Sequence, residues 1–321
     1  MPAFELRRAT SVAEAAAWLA APNARVIAGG TDLVPNLRRG LEQPATLVDV
    51  SGIAGIDAID WDASPRLIGA GVTLAWLADD ARIAAEYPAL AQAAAEVAAP
   101  AHRAAGTVGG NLCLDTRCVF YNQSAWWRAA NGFCLKRGGD TCHVAPQGER
   151  CHAAFSGDLA PAFLVLGAEV EIVSARGKRR LPLAALYRDD GAAHLTLEKD
   201  EFVVAVRVPP AAAGSMSAYR KARVRGSFDF PLAGVAMALT LDGARIAGIR
   251  VALTGTNSHP LALAGTEALV GNTIDDAAAA ALGKLVAKQA SPMRTTAMAS
   301  NYRRQVASVM AQRLLRELGG A

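Results

Sequence analysis

All five cysteines of this 321-residue chain fall between Thr107 and Asp158, and none lies outside that stretch. They stand at Cys113, Cys118, Cys134, Cys142 and Cys151, so the last four are separated by 15, 7 and 8 residues. The glycine-rich run Thr107-Val-Gly-Gly-Asn111 enters the stretch, and Ser156-Gly-Asp158 leaves it. What lies between reads as an insertion held together by something other than a hydrophobic core. Thiols gathered this way narrow the options to disulfides, a metal, or inert burial.

The rest of the chain bears on that choice. The formal charge is only +4, with Lys and Arg scattered. The one basic run, Arg176-Gly-Lys-Arg-Arg180, reads as a solvated hairpin tip, so no nucleic-acid partner is expected. The longest apolar run, around residues 159–168, is far short of the roughly 18 residues that a membrane span needs. The N-terminal MPAFELRRATS lacks the apolar core of a secretory signal. A cytoplasmic protein with reduced thiols is expected, and metal comes before disulfide.

Three readings of the cysteines stay open. Zinc sites normally show a close pair of ligands, and only Cys113 and Cys118 approach one, leaving a cysteine over. Buried unliganded cysteines are common, although four in one polar, glycine-rich loop is an unusual density. An iron–sulfur cluster needs four thiolates and tolerates irregular spacing in a long loop. Gly132 before Cys134 and Gly138-Gly139 before Cys142 supply backbone freedom where ligands must turn inward. Phe120, Tyr121, Trp126, Trp127 and Phe133 are available to shield a cluster. His143 and His152 each follow a cysteine directly and read as outer groups, because adjacent residues rarely both reach one metal.

The elements indicate an α+β chain in two units, divided near residues 211–214. The first unit shows strands near 4–6, 25–28, 46–50, 65–71, 169–173, 178–182 and 202–208. Its helices are expected near 13–20, 33–39, 74–81, 90–99 and 160–166, with Ser11 and Glu14 forming a capping box and Pro100 ending the fourth. The second unit runs strands 217–222, 232–241 and 246–254 into helices 266–270, 273–288 and 300–318. Gly29-Gly30 closes a buried strand and is followed by Thr31 and Asp32, a good setting for an anion. Gly69 and Gly71 lack the third glycine and the following acidic residue of a dinucleotide fingerprint. No hydrolase triad or P-loop pattern is present, and no catalytic residue is expected on this chain.

Ala28-Gly-Gly-Thr-Asp-Leu33, Thr107-Val-Gly-Gly-Asn-Leu112 and Ser156-Gly-Asp158 resemble the flavin-subunit motifs of the xanthine oxidase, or molybdenum hydroxylase, family. The likeness covers nearly the whole chain. The insertion, with Cys118, Cys134, Cys142 and Cys151, resembles more narrowly the β subunits of 4-hydroxybenzoyl-CoA reductases, which carry FAD and a [4Fe–4S] cluster. The resemblance implies a two-subdomain, PCMH/VAO-like FAD-binding domain over 1–213, with subdomains of about 1–55 and 56–213 and the iron–sulfur insertion at about 113–153. A C-terminal α+β domain over 214–321, with a three-stranded antiparallel sheet and helices, would follow.

It also implies roles for individual residues. Val26, Ile27, Ala28, Gly29, Gly30, Thr31, Asp32 and Leu33, with Thr107, Val108, Gly109, Gly110 and Asn111, would wrap the FAD pyrophosphate through backbone N–H groups and the Thr31 and Thr107 hydroxyls. Asp158 would bind the flavin nucleotide, and Val203 and Arg220 would flank the isoalloxazine ring. The four cysteines would hold the cluster. Implied partners are a large molybdenum-cofactor subunit with the substrate pocket and a small subunit with two [2Fe–2S] clusters, in a dimer of heterotrimers. Ferredoxin would donate electrons that pass through [4Fe–4S] and FAD toward molybdenum, converting 4-hydroxybenzoyl-CoA to benzoyl-CoA. A like subunit acting with an aldehyde or another aromatic substrate is the alternative. A zinc-stabilised interaction module is the alternative of another class.

Overall fold

Short parallel strands need crossovers, and alanine-rich amphipathic segments provide them. In the computed structural model, which describes residues 1–320, the chain begins with β1 (Glu5–Arg8), α1 (Val12–Leu19), β2 (Ala24–Ile27), α2 (Leu33–Arg38) and β3 (Thr46–Asp49). The three strands are parallel, with β3 in the middle. Ser11 caps α1 by accepting from the Glu14 N–H at 3.2 Å. The Glu14 carboxylate returns to the N–H and hydroxyl of Thr10, one residue before the place a capping box would put it. Ala15, Ala16 and Leu19 of α1 bury with Val48 and Val50 and also with Val173 and Phe202 of the next sheet, so the two subdomains share a core.

That next sheet is antiparallel, in the order β4 (Ile59–Asp60), β5 (Arg66–Gly69), then β8, β6 and β7. β6 (Glu169–Ser174) and β7 (Gly177–Pro182) form a hairpin with exposed arginines, and β8 (Phe202–Val208) fills the centre. Between β5 and β6 the chain leaves the sheet for α3 (Leu74–Asp79), α4 (Ala81–Glu86), α5 (Pro88–Ala95), α6 (Pro100–Ala105) and α7 (Val108–Leu112). It then makes the cysteine insertion with α8 (Ala125–Ala130), and returns through α9 (Leu159–Val165).

Pro100 does not end a helix, as its sequence context suggests. It opens α6, where a first-turn proline loses no hydrogen bond. α4 is a further helix that the sequence pattern does not separate from α3. Asp80 divides the two and caps α4 through the N–H groups of Arg82 and Ile83.

The C-terminal unit contains β9 (Ser215–Ala222), β10 (Ala233–Asp242), β11 (Arg245–Thr254) and β12 (Leu261–Ala262), antiparallel in the order β12-β11-β10-β9. The sheet has four strands rather than three, because two-residue β12 is too short to leave an alternating pattern. α10 (Asp276–Gln289) and α11 (Ser300–Gly319) cover one face through Leu282, Val286, Ala307, Ala311 and Leu314 against Val235, Met237, Leu239, Val251 and Leu253. The other face sends Tyr219, Ala236, Ala238 and Ala252 into the main core beside Phe163 of α9. Burial on both faces makes β10 almost continuously apolar. No described helix is long and apolar enough to cross a membrane.

One buried cation closes this unit. Arg303, 1% exposed, donates to the carbonyls of Leu232 (3.1 Å), Met293 (3.0 Å) and Gly255 and to the Thr295 hydroxyl (3.1 Å). Burial pushes its guanidinium down to about 10. Arg303→Met would strand several buried carbonyls at about 1–3 kcal/mol each. The variant is expected to lose roughly 3 kcal/mol of stability, read as a lower urea midpoint for the C-terminal unit. An unchanged midpoint would mean that water replaces the guanidinium.

Candidate flavin cleft and cysteine cage

A cleft of about 940 Å³ is lined by the parallel subdomain, the helical excursion and β9. Its floor begins where β2 ends. A Cβ on Gly29 would lie 1.8 Å from the Ala105 carbonyl oxygen, so only glycine lets this loop press against the end of α6. Gly30 follows in the left-handed region, at φ 68°. Among the described residues, no carbonyl accepts from the backbone N–H groups of Gly29, Gly30, Thr31 or Asp32. Four successive donors left free at a cleft make an anion-binding concavity, which fits a dinucleotide pyrophosphate.

The opposite wall is α7. Thr107 accepts from the Gly110 N–H at 3.1 Å, turning the glycine-rich run into a capped helical turn. Asn111 accepts from the Leu159 N–H at 3.0 Å and thereby fixes α9 to α7. Asp158, beside that junction, is almost fully buried. Its Oδ2 lies 3.0 Å from Lys221 Nζ, and its Oδ1 accepts from the Tyr219 hydroxyl at 2.5 Å. Burial pushes its carboxyl up, and Lys221 and Tyr219 oppose that shift.

The insertion closes a second, smaller space. Its ends meet in an antiparallel bridge between Arg117 and Ala154. Cys118, Cys134, Cys142 and Cys151 are buried free thiols that line one void of about 10 Å³, together with Phe120, Tyr121, Lys136, His143 and Val144. Among the described residues, no three His, Cys, Asp or Glu side chains are grouped to hold a single metal ion. The thiols surround the void without meeting at a point. Burial raises the Cys118 thiol and pushes Cys151 up to about 12, while backbone N–H groups of Phe120, Tyr121 and Ala153 pull in the other direction.

The cage is moored to the first subdomain by cations. Arg117 pairs with Asp32 and donates to Asn36 at 2.9 Å. Arg137 donates to the carbonyls of Leu41 at 3.0 Å and Gly40 at 3.2 Å.

Comparison with known proteins shows the family. The family described as "FAD binding domain in molybdopterin dehydrogenase" matches residues 2–211, and "CO dehydrogenase flavoprotein C-terminal domain" matches residues 217–318. The chain belongs to the FAD-binding subunits of the molybdenum hydroxylases. It is similar to the aldehyde oxidoreductase FAD-binding subunit PaoB of Escherichia coli K12, at 36% identity over 81% of this chain and 83% of that one. It is also similar to the carbon monoxide dehydrogenase medium chain of Afipia carboxidovorans, at 29% identity over 97% and 94%. Among solved structures, reconstituted CO dehydrogenase from Oligotropha carboxidovorans superposes with a TM-score of 0.82 at 26% identity, covering 100% of this chain and 99% of the other. Quinoline 2-oxidoreductase from Pseudomonas putida 86 gives 0.79 at 25% identity, covering 99% and 98%.

In this molybdenum hydroxylase subunit, all of Val26 to Leu33 line the cleft, as do Thr107, Gly109, Gly110, Asn111, Asp158 and Val203. Val108 does not, being buried in the core. Arg220, expected beside the flavin ring, lies off the cleft and is engaged by Gln92 at 2.9 Å and by Glu317. Adjacent strand residues face opposite ways, so it is Lys221 that lines the cleft, held by Asp158 and by the Glu96 carbonyl at 3.0 Å. Each Asp158 oxygen thus has a partner within the protein, Tyr219 for one and Lys221 for the other.

The aromatic shield also differs from expectation. Phe120 and Tyr121 line the cage, but Trp126 is 78% exposed and Phe133 is exposed too. Cys113 lines the flavin cleft rather than the cage, and burial pushes its thiol up to about 12. His143 lines the void with Nε2 2.6 Å from the Phe133 carbonyl, whereas His152 stays outside. Phe228 and Phe230, on the loop after β9, are cleft residues that sequence reasoning missed. Their only signal was apolar bulk in a charged loop.

Gly29→Ala is expected to push the loop away from α6 and weaken FAD retention at least about tenfold, equivalent to about 1.4 kcal/mol. Flavin absorbance after gel filtration reads this, with circular dichroism as the control for folding. Full flavin content would remove the Gly29 loop from the site.

Proposed function

We propose that this subunit carries electrons within a molybdenum hydroxylase through two cofactors, FAD in the cleft and a [4Fe–4S] cluster in the cysteine cage. The observation that carries the second cofactor is the set of four buried thiols around one void, beside the flavin cleft. Four thiolates, one to each iron, are the ligand set of such a cluster, and irregular spacing in a long loop suits it.

When bound, FAD can exchange electrons in pairs or singly, and the cluster exchanges them singly. The chain's own residues do the positioning. The free N–H groups from Gly29 to Asp32 receive the pyrophosphate. Lys221, fixed by Asp158, holds a cation at the cleft wall. Phe120, Tyr121 and Val144 supply the apolar part of the cage lining.

The similarity to PaoB, named as an aldehyde oxidoreductase subunit, favours an aldehyde as the substrate of the complex. On this reading the aldehyde is oxidised at molybdenum in a large partner subunit. A small [2Fe–2S] subunit then passes the electrons to this chain. The second reading is reductive dehydroxylation of 4-hydroxybenzoyl-CoA with electrons from ferredoxin. It is favoured by the cysteine spacing, which resembles the loop of those reductases. The two readings differ in the direction of electron flow.

Anaerobically purified complex is expected to hold one flavin and about four irons per copy of this chain, beyond those of the small subunit. Zinc in place of that iron would sink the cluster reading and leave the flavin subunit standing. Bleaching of the flavin by an aldehyde supports the oxidative direction. Reoxidation of the reduced complex by 4-hydroxybenzoyl-CoA, without response to aldehydes, would overturn it. Cys134→Ser is expected to lose the extra iron and keep its FAD, and joint loss would make the cage part of the flavin site.

A further inference from the structure

Two side chains line both the cage and the cleft: Tyr121 and Lys136. Lys136 is two residues past Cys134, in the middle of a short 3-10 turn, and its side chain is only 7% exposed. Its Nζ lies 2.6 Å from Asp115 Oδ1, 2.5 Å from the Thr116 hydroxyl, 3.1 Å from the Thr116 carbonyl and 4.4 Å from the centre of the Tyr121 ring. The Tyr121 hydroxyl donates to the other Asp115 oxygen at 3.1 Å. Three acceptors thus surround the ammonium.

Mooring the loop does not require this cation, since Arg137 beside it already reaches the Leu41 and Gly40 carbonyls. The neighbouring charges are paired elsewhere, Arg117 with Asp32 and Arg25 with Glu42. Burying an ammonium with a single carboxylate is costly. A cation kept there points to a task at the wall.

We propose that Lys136 tunes the reduction potential of the cluster and so sets the energy of electron transfer between cage and flavin. This rests on the cluster reading above. When the cluster takes one electron, from reduced flavin or from an external one-electron donor, the cage gains one negative charge and no bond forms or breaks. A fixed cation at the wall stabilises that reduced state, since cluster potentials follow local charge and burial. Asp115, paired with Lys136 on the cleft side, opposes it. Lys136 is a positioning charge and touches no reacting atom of the substrate.

The test is a potentiometric titration of the whole complex, followed by electron paramagnetic resonance of the four-iron signal. Iron and FAD content are measured on the same samples. Lys136→Met is expected to shift the cluster midpoint to lower potential at unchanged iron and flavin. Lys136→Arg should stay near the unaltered protein, and Asp115→Asn should shift the midpoint upward. Opposite shifts from the two partners are a signature that a purely structural role would not give. Unchanged midpoints in both, or shifts of the same sign, overturn the proposal while leaving the cluster in place. If Lys136→Met fails to hold iron, the Asp115→Asn midpoint decides alone. Absence of a four-iron signal in the unaltered complex removes the cluster reading and this inference together.

Discussion

The Asp158–Lys221 pair stands where the flavin-binding fold meets the C-terminal sheet, and much of the architecture is arranged around it. Both side chains are almost completely withdrawn from water. A buried pair offsets its desolvation only when further hydrogen bonds occupy the remaining lone pairs and protons. Here they come from the Tyr219 hydroxyl and the Glu96 carbonyl. The four groups belong to the start of α9, to β9 and to the turn after α5, so a single polar knot fixes three elements around the cleft. Losing one partner would leave an uncompensated charge, at roughly 3–5 kcal/mol. The geometry of the flavin wall and the docking of the C-terminal sheet are therefore coupled.

Much of this was legible in the amino-acid sequence, and the failures share a physical cause. The double glycines mark both cleft walls because glycine leaves a visible trace wherever backbones must approach closely, as Gly29 does with Ala105. Strand β9 was placed correctly, but its face was not. Arg220 and Lys221 are both cations in a half-buried strand, and only the partners Asp158 and Gln92, distant in sequence, decide which of them turns inward. Pro100 carries the same ambiguity, since a proline can close one helix or open the next. Short elements such as β12 and α7 are stabilised by tertiary neighbours and have no periodicity of their own to read.

The insertion illustrates a different limit. Spacing alone left zinc, a cluster and inert thiols all open, because ligand spacing in a long loop says little about where sulfur atoms end. The fold adds that four of the five thiols share a void and that Cys113 faces the flavin cleft instead. The aromatic residues split in the same way. Phe120 and Tyr121 turn inward while Trp126 turns to solvent, a distinction that residue type could not supply.

The way the insertion is held also explains how the flavin cleft and the cysteine cage can coexist without competing for one core. The insertion contributes only a small apolar cluster around Leu41, Tyr121 and Ala153. Its attachment runs through directed polar contacts, Arg117 to Asp32 and Arg137 to two backbone carbonyls. Hydrogen bonds from cations to carbonyls and carboxylates are specific in direction but add little buried apolar area. The large core beneath α5 and α9 takes only Cys113 and Leu114 from the insertion. Asp32 joins the flavin loop to the cage from the outside, lining the cleft and receiving Arg117, the residue before the first cage cysteine. The cage and the cleft thus meet through the Arg117 contacts to Asp32 and Asn36 and through the shared Tyr121–Lys136 wall, while the Asp158 knot holds the far side of the cleft.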